Sequence, residues 1–207
     1  MKALRWSVPF AVASLIATAP LAAVTEVLTG EDVSRAFTIA SGSDETRERF
    51  HASYVVPFDD PLVERLEIIT EFRRLVIAAE EQLKAGNWMM GRGGYDAKGR
   101  TLRDLLRPFQ GQLSIRARLR FHPQNNYATL PAFDILLGEP TLLATTASRA
   151  PHVIPSNDKP GTRDIISGAT IEMAWDAVAI DDRTLPVRLF SEGEEIARHS
   201  VEFSRLQ

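Results

Sequence analysis

Residues 60–86 constrain this chain more than any other stretch. Leu62, Ile69, Val76 and Leu83 recur every seven residues, and Leu66, Phe72 and Ala79 fill neighbouring helical positions. The spacing predicts one long amphipathic helix over about residues 61–85, with a single apolar stripe along its length. Its ends carry matching signals. Asp60 suits an N-cap, Pro61 the first helical position, Glu64 the positive end of the helix dipole and Gly86 the C′ position. The β-branched run Ile68-Ile69-Thr70 admits a second reading, in which 63–69 is a strand followed by a shorter helix.

The periodicity changes from 3.6 to 2 at Leu113. Leu113, Ile115, Ala117, Leu119 and Phe121 face one way, Ser114, Arg116, Arg118, Arg120 and His122 the other, so one face is core and the other cationic. Further strands are expected at 128–130, 133–137, 141–145, 170–175, 187–190 and 196–203, with a hairpin turn at Ser191-Glu192-Gly193-Glu194. The proline-bearing segment 150–163 reads as a long irregular connection. Strands separated by turn signals predict an α+β chain: an antiparallel β-sandwich, immunoglobulin-like in general look, packed with the one long amphipathic helix. Residues 24–112 are then a helical N-terminal segment lying on the sheet, 113–207 the sandwich, and 24–207 one structural unit. Between them, Trp88-Met89-Met90 makes an apolar plug on the helix end, 91–100 is a glycine-rich loop, and Thr101 with Asp104 forms a capping box.

Residues 1–23 have the layout of a secretory signal peptide. Lys2 and Arg5 are followed by an apolar stretch over 8–19 and then small residues. That stretch is shorter than the roughly 20 apolar residues needed to span a bilayer, so cleavage is expected and no transmembrane segment remains. Residues 26–50 are acidic and polar, with at most a short helix, and 51–56 suit a strand. The whole chain has 24 Lys and Arg against 27 Asp and Glu; without Lys2 and Arg5 this becomes 22 against 27, a charge of −5. An acidic chain gives no electrostatic basis for nucleic-acid binding. With no cysteine among 207 residues, disulfides, thiolate metal sites and cysteine nucleophiles are excluded together.

Short motif matches fail on context. Residues 94–101 have P-loop spacing with arginine in place of lysine, but the stretch before them reads as helix where the mechanism needs a strand. Ser156 and Lys159 match the Ser-x-x-Lys spacing, yet Pro160 and Gly161 end any helix that could bring amine to hydroxyl. His51, His122, His152 and His199 lack ligand spacing. A metal site from His122, His152 and Asp158 is the one combination worth checking, and no cofactor is expected.

The feature of most weight is the basic ladder Arg116, Arg118, Arg120 and His122, continued by Tyr127. Guanidinium groups repeating at about 6.6–6.8 Å on one strand face repel one another unless something anionic lies opposite. One answer is a cross-strand carboxylate such as Asp134, Glu172 or Asp176. The other is an anionic partner, an acidic polymer or another envelope protein. The sequence therefore predicts an exported, non-enzymatic binding or assembly protein of a bacterial-type cell envelope, periplasmic or extracellular. A small secreted hydrolase with His and carboxylate residues converging from separate loops is the competing expectation.

Overall fold

The computed structural model describes residues 28–58, 60–87, 98–125, 127, 129–154, 164–180 and 183–206. The expected signal segment 1–23, the plug at 88–90, most of the glycine-rich loop and the Ser156/Lys159 match lie outside them. Among the described residues, two antiparallel sheets of five and three strands and a small group of helices give an α+β architecture. No helix there is long and apolar enough to cross a membrane.

The stretch expected to be one helix over 61–85 is instead a strand and a shorter helix, β2 (Val63–Ile69) and α3 (Glu71–Lys84). Local hydrogen bonds explain the correction. The Asp60 carboxylate accepts the Leu62 N–H at 2.8 Å and its carbonyl accepts the Val63 N–H at 3.1 Å, so Asp-Pro-Leu closes a turn rather than opening a helix. Thr70 is the actual N-cap, its hydroxyl accepting the Arg73 N–H at 3.2 Å. Leu66 and Ile68 enter the core between the sheets while Glu67 points to the opposite face, a period of 2 hidden under the sevenfold spacing. The other end conforms to expectation. Gly86 has φ +80°, and Asn87 N–H reaches Gln82 O at 2.8 Å in a Schellman cap.

Two helices, α1 (Gly30–Ala40) and α2 (Asp44–Ala52), fill the segment expected to hold at most one, and only β1 (Val55–Val56) of the strand expected over 51–56 forms. Each helix has a side-chain cap: Thr29 and Asp32 make a capping box, and Ser43 caps α2. α4 (Leu102–Leu106) starts at the expected Thr101–Asp104 box.

The larger sheet has the order β1-β2-β3-β6-β5, with β3 at Gln112–Arg120, β5 at Thr146–Ile154 and β6 at Ile165–Asp176. The smaller has β4 (Phe133–Leu137), β7 (Thr184–Ser191) and β8 (Glu194–Glu202), with the short α5 (Ala177–Ile180) between β6 and β7. Because β2 pairs with β3, the sheet crosses the boundary expected at 112/113. The β7–β8 turn has φ +50° at Glu192 and +89° at Gly193, the mirror-image turn that matches strand twist. Of 141–145 only an isolated bridge at Leu142 forms, and 129–130 are not strand. β5 instead occupies part of the connection expected to be irregular. It is an edge strand, where Pro151 is tolerated because its missing N–H can face outward.

One apolar core lies between the sheets, with Leu66, Leu113, Ile115 and Trp175 from the larger and Ile135, Val187 and Leu189 from the smaller. A second lies among the helices, built on Phe37, Leu75, Val76, Ala79 and Leu102. Phe50 packs against both. The helices therefore occupy part of the outer face of the larger sheet and leave the rest open.

Candidate functional site

The outer face of β3, β6 and β5 is a lattice whose rows follow from strand register. Arg116, Glu172 and Ser148 lie side by side, then Arg118, Thr170 and Ala150, then Arg120, Gly168 and His152. Alternation turns the neighbours Ala117 and Leu119 into the core, which is why polar residues collect on one side.

Arginines outnumber acids here. Glu67 receives Arg65 at 2.8 Å and Arg73 at 2.7 Å; Glu172 receives Arg116 at 2.8 Å and Arg74 at 3.1 Å; Glu64 receives Arg118 at 3.2 Å. Arg120 forms no ion pair among the described residues. Five guanidinium groups thus meet three carboxylates, with Arg120 beside them. Burial alone would raise the Glu67 carboxyl, but the hydrogen bond and charge of Arg73, with Arg65 and Arg116 behind it, hold it below its ordinary value. Glu172 behaves likewise: burial raises it, and Arg116 and Arg74 outweigh that.

Two hollows open on this face. A cleft of about 1030 Å³ runs between α2, α3 and the sheet. Its walls carry Asp44, Glu48, Glu64, Glu67 and Glu80 against Arg47, Arg65, Arg73 and Arg116, so its charge is nearly balanced. A trough of about 470 Å³ continues over β3, β6 and β5 past Arg116, Arg118, Thr170 and His152. Arg65, Glu67 and Arg116 line both, which makes them one groove.

His51 sits at the cleft wall, hydrogen-bonded to Glu80 at 2.9 Å through Nε2 and receiving Arg73 Nε–H at 3.5 Å on Nδ1. Arg73 can only donate, so Nδ1 accepts and Nε2 carries the proton. Both nitrogens are engaged within the protein. His51 therefore ties α2 to α3 and offers no free base.

The expected ladder is divided. Arg116, Arg118 and Arg120 share the groove face, and of the three acids expected to answer them only Glu172 does so. Asp134 pairs with Arg149 from the inner side of β5, and Asp176 accepts the Val178 N–H. His122 lies past the strand, its Nδ1 accepting Gln124 N–H at 3.2 Å in a turn. Tyr127 packs edge-on against Phe121, centroids 5.2 Å apart, at the rim of the core between the sheets. The geometry does not bring these two to the arginines. It brings His152 and Thr170 instead, 2.8 Å apart. Sequence reasoning missed them because β5 lacks apolar alternation. Among the described residues no three His, Asp or Glu side chains gather as metal ligands, and Asp158 lies outside them.

Comparison with protein-family models, curated proteins and solved structures finds no match to this chain.

Proposed function

We propose that this chain is an exported binding or assembly protein of a bacterial-type cell envelope. In this reading it is a β-sandwich domain, immunoglobulin-like in general look, that holds an anionic partner on the outer face of its larger sheet. The observation that carries the reading is the surplus of guanidinium over carboxylate on that face, in a chain whose overall charge is −3. A solvated structural face would be expected to balance, as the neighbouring cleft does. The engagement of both His51 nitrogens supports binding over hydrolysis, since it removes the base that a hydrolase in the cleft would need.

Retention on a sulfated polysaccharide matrix tests the reading. Wild-type protein should be held at low salt and released as salt rises, because exposed charges are screened beyond about 8–10 Å at physiological ionic strength. Arg118→Gln/Arg120→Gln should flow through while keeping its melting temperature. Equal retention of the two proteins would overturn the proposal. N-terminal sequencing of native material tests export, with a start between about residues 20 and 26 expected from the small residues there.

A further inference from the structure

The lattice of the outer face has a gap in it. In the row Arg120, Gly168, His152 the central position has no side chain, and in the row beside it the β5 position is only Ala150. β3 and β5 are two strand spacings apart, about 9.6 Å, so the gap is a trough with arginines on one bank and His152 on the other. Gly168 is obligatory there: a Cβ would stand 2.2 Å from the Leu119 carbonyl oxygen. The same construction places His152 Nδ1 only 3.1 Å from that Cβ position, so the ring nitrogen lies over the trough floor.

Charge distribution singles out this end of the groove. Arg116 is held by Glu172, whereas Arg118 has only an exposed, long ion pair with Glu64 and Arg120 has none among the described residues. The His152–Thr170 hydrogen bond uses one proton of the pair and leaves the other donor unspent. If the threonine hydroxyl donates to Nε2, the imidazole proton is on Nδ1 over Gly168; if Nε2 donates, the hydroxyl hydrogen is free. In either tautomer one donor of the pair remains for a ligand, and Arg118 lines the same trough with Arg120 in register beside it.

We propose that this trough binds a tetrahedral oxyanion, the phosphate or sulfate monoester of a soluble ligand, between Arg118 and Arg120 on one bank and His152 on the other, with Thr170 on the floor between them. Arginine forks match such an anion through paired N–H donors, and oxygens pointing in several directions can use donors from both banks, which a planar carboxylate cannot. The inference rests on the anion-binding reading above and narrows it to one subsite, replacing His122 and Tyr127 with His152 and Thr170.

Titration with inorganic phosphate and with glycerol 2-phosphate, followed by the NMR signals of the His152 ring, tests it. Wild-type protein should show saturable shifts with both and a weaker response to acetate. Ala150→Leu, which fills the trough from an exposed position and leaves every charge in place, should bind about tenfold or more weakly while still being retained on the sulfated matrix. Thr170→Val should lose a similar factor, the worth of one charge-assisted hydrogen bond. If Ala150→Leu and Thr170→Val bind phosphate like wild type while Arg118→Gln/Arg120→Gln loses matrix retention, the trough is wrong and the anionic face stands. If the arginine variant keeps retention, both fall. Binding to phosphatidic acid in phosphatidylcholine vesicles with none to glycerol 2-phosphate would overturn the soluble ligand in favour of a membrane surface.

Discussion

Arg116 and Glu172 face each other across β3 and β6, and the guanidinium places both Nε and Nη2 on the same carboxylate oxygen, at 2.9 and 2.8 Å. The other oxygen belongs to Arg74 at 3.1 Å, which reaches it from α3 while bonding the buried Ser114 hydroxyl at 2.7 Å. One carboxylate therefore clamps a helix onto the sheet through two arginines. This divides the basic ladder into a structural rung, Arg116, and two rungs left over for a partner.

The division sets different costs for substitutions of the same kind. Arg116→Gln removes half of a partly buried clamp, for about 1.5–3 kcal/mol. Arg118→Gln removes an exposed pair and costs about 0–1 kcal/mol, with Arg120→Gln no more costly. Urea melts of the three variants compare them directly. Equal midpoints would mean that Glu172 does not distinguish Arg116 from its neighbours.

Arg73 is the most demanding buried charge. It is 2% exposed, donates to the Ile68 carbonyl and to Glu67 at 2.7 Å each, and lies 5.2 Å from the Tyr54 ring centre. Burial lowers its pKa, with Glu67 opposing the shift. Arg73→Met leaves Glu67 with only the half-exposed Arg65 and strands the Ile68 carbonyl, for about 3 kcal/mol. Glu67→Met added to it should cost much less than Glu67→Met alone, which a double-mutant cycle in urea measures. Strict additivity would deny the coupling.

How much of this was legible from sequence depended on whether a residue's signal is local. Caps at Thr101 and Gly86 and the turn at Glu192-Gly193 depend on a few adjacent residues, and they appear where expected. Strand β3 was plain because one face is core along its whole length. Residues 63–69 were ambiguous because Leu62, Leu66 and Ile69 satisfy a helical spacing that continues smoothly into α3. The Asp60 turn and the Thr70 cap delimit the strand, and its pairing with β3, far away in sequence, holds it there. β5 was invisible for the opposite reason: an edge strand with one open face needs no apolar period, so His152 could not be placed beside Thr170.

The buried stripe expected over 61–85 survives the correction in its C-terminal half, as α3. Val76 is fully buried among Phe72, Leu75 and Ala79, while Glu81 is exposed. Val76→Asp puts an unpaired carboxylate into the helical core and should cost several kcal/mol, about 3 or more. Glu81→Lys should change stability by less than about 0.5 kcal/mol. Thermal melts of the two decide whether the helical core is integral, and indistinguishable melting points would make that layer peripheral.

Acid should loosen the groove through Glu67 and Glu172. Both carboxyls sit below their ordinary value of 4.5 in the folded chain, since their arginines outweigh burial. The unfolded chain then binds more protons through this region, so stability is fully present above about pH 4.5 and falls as the pH drops through the depressed folded values. Glu71 works in the other direction: burial raises its pKa and the Gly111 N–H at 3.3 Å only partly opposes this, so the folded chain holds that proton more tightly. Glu67→Gln should therefore be less stable than wild type at pH 7, with the gap closing as acid protonates the wild-type carboxyl. Glu71→Gln should be at least as stable as wild type at pH 7 and lose that advantage below about pH 4.5, where the wild-type side chain is also neutral. Urea midpoints measured from pH 7 down to pH 3 separate the two, and a Glu67→Gln deficit that stays constant across that range would show that the ion pair with Arg73 is not what sets the acid limit.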